Sequence, residues 1–360
     1  MEHKFNYKWT LKDAKFTKDK GTVFSCFACG GGSTMGYKLA GFNVLGFNEI
    51  DERVAEIYKI NNNPKYSFCE PIQTFKNRND LPSELFNLDI LDGSPPCSTF
   101  SMAGNREDDW GKEKKFREGQ AKQVLDTLFF DFIDLAKKLQ PKVVVAENVK
   151  GLLLGNAIDY VRKIYKEFDM AGYYCQHFLL DSSTMGVPQR RERVFFICLR
   201  KDLAKKFMTQ VNLFEEVPKI NMDFYENQIT FAECEVENST NGKKIHKGMI
   251  EWYYKCENGK NLSTVCPKGK NYWFNYHKLD KNKVCPTLAS ANSDKIFHYE
   301  KPEQLSLEQW SVCGTFPIDY NFLEDGKQKN DGRYLIGMSV PPVMMAQIAS
   351  RIYEQWLSKL

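Results

Sequence analysis

The first 200 residues carry the feature that most narrows what this chain can fold into: short β-type runs alternate with apolar residues at helical spacing. Thr22 to Phe27 and Val44 to Glu49 read as strands, and Ser33 to Ala40 and Glu52 to Ile60 as the helices that follow them. Leu88 to Asp92 is a third short strand. From Gln120 to Leu139, Val124, Leu125, Leu128, Phe132 and Leu135 recur at helical spacing, and the pattern stops at Pro141, which cannot continue a helix. Lys142 to Glu147 contains an unbroken valine run, the mark of a strand buried on both faces. A helix from about Ala157 to Met170, ended near Gly172, and strands Tyr173 to Leu180 and Arg193 to Leu199 complete the series. Such alternation predicts an α/β fold, a doubly wound and mostly parallel sheet with helices on both sides.

After Arg200 the rhythm stops. Residues from about 201 to 336 hold mixed short runs with more Asn, Lys and Gly, and are expected to form a second, smaller domain. Val343 to Leu357 returns to helical periodicity, so residues from about 337 to 360 are expected to pack back onto the first domain, 1–200. Hydrophobic residues at 42% and charged residues at 27% exclude a disordered or collagen-like chain. No apolar run approaches the roughly 18 to 20 residues of a membrane span, and Met1 to Lys20 lacks the apolar core of a signal peptide. The expectation is a cytoplasmic protein with no membrane partner. Eleven cysteines, an odd number, fit reduced thiols better than a disulfide framework. Cys234, Cys256, Cys266 and His246 follow no standard zinc spacing, and no metal is expected.

The formal net charge of +4 says little until it is located. Asn241 to Cys285 holds ten Lys against Glu251, Glu257 and Asp280, with Trp252, Tyr253, Tyr254, Tyr272, Trp273, Phe274 and Tyr276 interleaved. A basic, aromatic-laced stretch suits a surface that follows phosphates and touches bases, and it equally suits a solvated face over a small core.

Four segments carry chemistry. Phe24-Ser-Cys-Phe-Ala-Cys-Gly30-Gly31-Gly32-Ser-Thr-Met-Gly36 lies between the first strand and helix, where glycines admit a ligand close to the backbone and a helix N-terminus favours negative charge. Glu49-Ile50-Asp51 ends the second strand, the place where an acid commonly takes ribose hydroxyls. The second segment, Asp92-Gly-Ser-Pro95-Pro96-Cys97-Ser98-Thr-Phe-Ser101, puts a cysteine on a stiff loop at the carboxyl edge of the sheet. Downstream, Met102 to Gly119 carries Arg106, Lys112, Lys114, Lys115 and Arg117 among five acids and reads as a loop that closes over a substrate or is simply solvated. In the third, Val143-Val-Val-Ala-Glu147-Asn148-Val149, a buried strand delivers a carboxylate fit to hold or donate a proton. In the fourth, Gln189-Arg190-Arg191-Glu192-Arg193, strand alternation would set Arg191 and Arg193 on one face toward a carbonyl or an anion.

In this order and spacing the four segments resemble the C5-cytosine DNA methyltransferases, with the match resuming at Pro286-Thr287-Leu288, Phe316-Pro317 and Gly337-Met-Ser-Val-Pro-Pro342. The resemblance implies a class I methyltransferase, Rossmann-like fold with a small target-recognition domain between residues 201 and 336. It implies methyl transfer from S-adenosylmethionine to C5 of a cytosine flipped out of a specific duplex DNA sequence. Cys97 matches the nucleophile that adds to C6, Glu147 the residue at N3 and the exocyclic amine, Arg193 the arginine on O2, and Arg191 its support. On the cofactor side it implies Phe27 against adenine, Gly30, Gly31 and Gly32 along the methionine moiety, Glu49 on the ribose and Ile50 beside adenine. Glu70 would lie near the adenine amine, and Ser94, Pro95 and Ser339 would complete that site. Pro96, Ser98, Ser101 and Asn148 would meet the substrate.

Departures accompany the match. Cys29 stands at the family's first glycine, Ser98 at its usual Gln, Met338 at an Asn, and Glu308 and Gln309 at an Arg and a Glu. The implied partners are double-stranded DNA and, in a restriction-modification system, a cognate endonuclease, with the protein acting as a monomer in a prokaryotic or phage-infected cell, associated with the nucleoid. A tRNA cytosine-5 methyltransferase on the same fold, or a catalytically silent nucleic-acid-binding relative, are the alternatives.

Overall fold

A computed structural model describes residues 3–96, 113–114, 123–124, 127–212, 215–237, 243–266, 273, 275–292, 294–323 and 331–360. They fall into two units that do not follow chain order. One consists of Phe16–Leu180, Glu192–Asp223 and Ala346–Leu360, the other of Met1–Lys15, Asp181–Arg191 and Phe224–Met345. Compared with the expected boundaries near residues 200 and 337, the N-terminal segment and Asp181–Arg191 sit in the second unit, where their backbone bonds lie: Ile318 N donates to Trp9 O and Arg190 N to Cys285 O.

The first unit is built on β1 (Thr22–Cys26), β2 (Asn43–Asn48), β3 (Tyr66–Phe68), β4 (Ile90–Gly93), β7 (Val143–Val149), β8 (Tyr173–Asp181) and β9 (Glu192–Arg200), in the order β3-β2-β1-β4-β7-β9-β8. The pairs β2/β3, β1/β2, β1/β4 and β4/β7 are parallel, and β7/β9 is antiparallel. This is the doubly wound, mostly parallel sheet expected. From β1 the chain proceeds to β2 on one side, while β4 lies on the other, so the ends of β1 and β4 flank the topological switch point where ligands enter such folds. Two-residue strands β5 (Glu113–Lys114) and β6 (Gln123–Val124) pair separately.

The helices of this unit have local causes. In α2 (Glu52–Asn62), Asp51 caps the start by accepting from Arg53 N and Val54 N, and Asn63 ends it in the left-handed region before Pro64. In α4 (Leu128–Leu139) the left-handed Gln140 precedes Pro141, as the sequence indicates. The helix starts eight residues later than expected, because Gln123–Val124 pairs as a strand. The face of α5 (Ile158–Met170) that buries Tyr160, Val161, Ile164 and Phe168 packs into one core with Phe129, Phe132, Val144 and Phe196. Among the described residues, short segments such as β3, with three residues, and α3 (Ile72–Asn77), with six, escaped the periodicity. At Gly46 a Cβ would stand 2.2 Å from Tyr66 O, so glycine is what lets β2 and β3 approach.

In the second unit, α6 (Phe231–Cys234) starts on a capping box of Thr230 and Glu233, and α8 (Leu307–Cys313) on Ser306. Around α7 (Lys247–Lys255), Ile245, Met249, Tyr253, Cys256, Leu262 and Phe297 form a small core. Trp252, Trp273 and Tyr276 pack against it, so these aromatics are structural, whereas Tyr254 is 64% exposed. Tyr272 and Phe274 lie outside the described residues. Among the basic residues, Lys278 is buried with its Nζ donating to the carbonyls of Tyr253 and Cys256 and serves the end of α7. The stretch Gly332–Lys359, which includes most of α9 (Asp331–Met338) and all of α10 (Pro342–Gln355), is long and apolar enough to span a bilayer, but 89% of its most apolar window is buried inside the fold.

Candidate active site

Three of the four chemistry-bearing segments converge on the carboxyl edge of the sheet in the first unit. The turn after β1 takes a path few residues adopt: Phe27, Cys29 and Gly31 all have positive φ, at 50°, 48° and 86°. Gly31 caps α1 (Gly32–Leu39) without a side-chain bond, leaving the first amides of that helix directed at the switch point. Cys29, standing where the resembled family has glycine, holds the left-handed conformation nonetheless. Its amide donates to Glu49 Oε2 at 2.9 Å, while Ile50 N and Asp51 N donate to Glu49 Oε1 at 2.8 and 3.1 Å. Three main-chain donors thus fix one carboxylate at the end of β2, and burial pushes its pKa above the ordinary range against the pull of those bonds.

This donor set fits a nucleoside cofactor. A fixed carboxylate faces where a diol would sit, a helix N-terminus follows a turn tight enough to admit a ligand to the backbone, and half-buried Phe27 packs against the core beside Phe132. Ile50 is half-buried next to Glu49. Glu70 is otherwise engaged: its carboxylate pairs with Arg78 at 3.2 Å, and its carbonyl accepts from Asn48 Nδ2 at 2.8 Å. Asn48 is a positioning residue that sequence reading passed over, since only the pairing of β2 with β3 brings it there.

The loop after β4 is anchored from both sides. Ser94 N donates to Cys26 O at 3.4 Å, and Asn148 Nδ2 donates to Pro95 O at 3.2 Å. Pro96 is the last residue described; Cys97, Ser98, Ser101 and the loop Met102–Gly119, apart from the β5 pair, lie outside the described residues. Beneath the loop, Asp92 is 1% exposed and accepts from Ser25 Oγ at 2.8 Å and Tyr37 Oη at 3.2 Å.

Beside it, β7 carries Glu147 and Asn148 just before its last residue, Val149. Because β9 runs antiparallel, its first residues lie opposite the last residues of β7, with Val149 across from Arg193 and Glu147 across from Phe195. Arg193 Nε meets Glu147 Oε1 at 3.0 Å, both side chains being largely buried. Burial draws the guanidinium below its ordinary pKa while the Glu147 carboxylate opposes the shift. A second pair, Lys150 just after β7 with Glu192 at the start of β9 at 2.9 Å, flanks the first with its charges reversed in order. Strand alternation does not extend to Arg191, because β9 begins at Glu192; the Arg191 Nη1 donates instead to the carbonyls of Leu288 and Gly337, both at 3.0 Å.

In the second unit the Gln189 segment meets the later motifs. Leu288 N donates to Gln189 Oε1, and Thr287 Oγ1 to Arg190 O. Close packing explains Gly337, where a Cβ would stand 2.3 Å from Ser290 N, and Ser339 is buried just beyond it. Gln309 uses both ends of its amide: Oε1 accepts from Val236 N, and Nε2 donates to Cys234 O and to Cys313 Sγ. A carboxylate could not make the latter two bonds, so this departure has a local reason. Among the described residues no group of three or more His, Cys, Asp or Glu is placed to hold a metal ion; of the zinc candidates, Cys234 lies 3.9 Å from Cys313, Cys256 donates to the carbonyls of Glu257 and Lys260, and His246 accepts from Gly248 N.

Comparison with known proteins adds to this geometry. Residues 21–354 match the family model of C-5 cytosine-specific DNA methylases. The Type II methyltransferase M.FnuDI of Fusobacterium nucleatum is 36% identical over 363 residues, covering 94% of this chain and 95% of the relative. The Type II methyltransferase M1.HphI of Haemophilus parahaemolyticus is 28% identical over 350 residues, covering 92% and 87%. Among solved structures, a prophage-encoded E. coli protein described as a DNA modification methyltransferase superposes with a TM-score of 0.68 at 21% identity, covering 93% of this chain and 99% of that one. The S. pombe Dnmt2 methyltransferase follows with a TM-score of 0.59 at 13% identity, covering 93% and 98%. At those identities the likeness concerns the fold.

Proposed function

The chain belongs to the C-5 cytosine-specific DNA methylase family, and from that premise we propose that it methylates C5 of a cytosine flipped out of duplex DNA, using S-adenosylmethionine and a covalent bond from Cys97 to C6. The observation that carries the reading is the buried Glu147–Arg193 pair, fixed at 3.0 Å on two hydrogen-bonded strand ends next to the switch point. Rigid strands hold such a pair better than loops do.

C5 of cytosine is too poor a nucleophile to take a methyl group unaided. Addition of the Cys97 thiolate to C6 moves the ring electrons toward C5, while Glu147 delivers a proton to N3 and holds the exocyclic amine. Arg193 donates to O2, where negative charge gathers. Bound cofactor supplies an electrophilic methyl group on a sulfonium. After transfer, a base removes the C5 proton, the electron pair restores the 5,6 double bond, the thiolate leaves, and N3 returns its proton to Glu147. Glu49 would hold the ribose, Phe27 and Ile50 the adenine, and the Gly30–Gly32 turn with Ser94, Pro95 and Ser339 the remainder. Asn148, by holding Pro95 O, fixes the root of the loop that carries Pro96 and Cys97. Ser98 and Ser101 would meet the DNA, and Arg191 would serve as a supporting residue by holding the carbonyls of Leu288 and Gly337 within its own unit. The basic surface within residues 201–336 would track phosphates, with exposed Tyr254 available to bases. The relatives are Type II methyltransferases, which supports a cognate endonuclease cutting the same sequence as part of this reading; a cytoplasmic, monomeric protein is proposed with it.

Methyl transfer from labelled cofactor to duplex DNA tests it, with tRNA as the competing substrate; label found in tRNA alone would overturn DNA as the substrate. DNA bearing 5-fluorocytosine should become covalently attached, because no proton can leave C5. Cys97→Ala should abolish both transfer and attachment while DNA is still bound, and turnover by that variant would remove the proposed nucleophile.

A further inference from the structure

Asp92 has no part in the chemistry above, yet it is the most deeply buried carboxylate at the switch point. It lies opposite Ser25 in the β1/β4 register, one residue before each strand ends. Its described partners are the two hydroxyls of Ser25 and Tyr37, and among the described residues no Lys or Arg pairs with it. Ionising a carboxyl in such surroundings is unfavourable until a positive charge comes near. The groups that sense it from neighbouring elements are Cys26 on β1, Tyr37 on α1, Tyr58 on α2 and Glu147 on β7. Burial pushes the first three further up, so they stay neutral through the physiological range, and Glu147 already has Arg193. Asp92 itself is pushed up to about 7, chiefly by burial, so its charge appears across the neutral range.

We propose that Asp92 makes the cofactor site charge-selective, favouring the cationic sulfonium cofactor over the neutral thioether that methyl transfer leaves. The inference rests on the cofactor reading above and deepens it. The two ligands differ by one methyl group and one positive charge, so shape discriminates weakly between them. A buried carboxylate with no cationic partner among the described residues, at the place where this fold admits ligands, supplies discrimination by sign of charge. Once the methyl group has been transferred, the same carboxylate loses its counter-charge, which favours product release.

Calorimetric binding of S-adenosylmethionine and of S-adenosylhomocysteine to the full chain at pH 6 and pH 8, for the parent and Asp92→Asn, decides the matter without any turnover. The preference for the sulfonium ligand should rise with pH in the parent, and at pH 8 it should exceed that of the amide variant by about tenfold, the order expected for one unit charge in a partly desolvated crevice. Tyr37→Phe removes one hydroxyl donor from the carboxylate and should move the rise to higher pH, which keeps the test open if Asp92→Asn folds poorly. Equal preference in parent and amide variant at pH 8, or an unmoved rise in Tyr37→Phe, would sink the inference while leaving the cofactor reading intact. Failure of the parent to bind either ligand would overturn both.

Discussion

Glu147 and Asp92 lie on neighbouring strands, and their surroundings give the two carboxylates opposite duties. Glu147 has a guanidinium at 3.0 Å, whereas among the described residues the partners of Asp92 are hydroxyls. In the proposed reaction Glu147→Gln would keep a hydrogen bond to the base but could not carry a proton to N3, so kcat is expected to fall by roughly 10²- to 10⁴-fold with little change in DNA affinity; a drop in affinity with kcat preserved would contradict that role. Asp92 bears instead on stability. Its folded pKa of about 7 exceeds the ordinary 3.8, so its contribution is fully present below about pH 4 and is lost as pH rises through about 7. The span corresponds to at most about 4 kcal/mol. Asp92→Asn escapes this loss, so its melting temperature relative to the parent should climb between pH 5 and pH 8. A constant difference across that interval would show that Asp92 does not titrate there.

Elements fix where these residues stand, and one contact between β4 and α4 is tight enough to measure. A Cβ on Gly93 would lie 2.5 Å from Phe132 Cε2, in the core that also holds Phe129 and Leu91. Gly93→Ala is therefore expected to cost about 1–3 kcal/mol in urea unfolding, and Phe132→Leu in the same chain to recover part of it, giving a clear coupling energy. Strict additivity would mean that the ring moves aside freely. The same element scale explains what the sequence could disclose. The valine run of β7 and the paced apolar faces of α2 and α5 are periodic, so these three elements were legible to within a few residues, whereas α4 begins eight residues after the expected start. Glu147 was legible as a strand-end acid. Its partner was not assignable by position alone, because that depends on β9 running antiparallel to β7 and beginning at Glu192, which leaves Arg191 to bind Leu288 and Gly337. Asp92 was visible as the end of a strand, but its neighbours Ser25 and Tyr37 are 67 and 55 residues away in sequence, and no local pattern announces them.

At the scale of the molecule, chain order and folding units diverge, and this makes the C-terminus indispensable to a unit that begins at Phe16. Ala346–Leu360 closes that unit by bonds that cannot be replaced locally. Trp356, fully buried, donates its Nε1 to Lys219 O at 2.9 Å, Gln355 exchanges bonds with Asn221 at 2.8 and 2.9 Å, and Tyr353 meets Phe42 edge-on at 6.1 Å between ring centres. Trp356→Ala removes a large side chain from a closed site and leaves the Lys219 carbonyl without this donor, so a loss of about 3–5 kcal/mol is expected, comparable with a substantial part of a domain's total stability. A chain ending at Met345 loses all of these contacts together with the apolar face of α10, and should show no cooperative unfolding of the sheet-bearing unit by circular dichroism in urea. Survival of a cooperative transition with an unchanged midpoint would mean that the sheet and its own helices suffice. In that case the long return of the chain would serve some purpose other than stability.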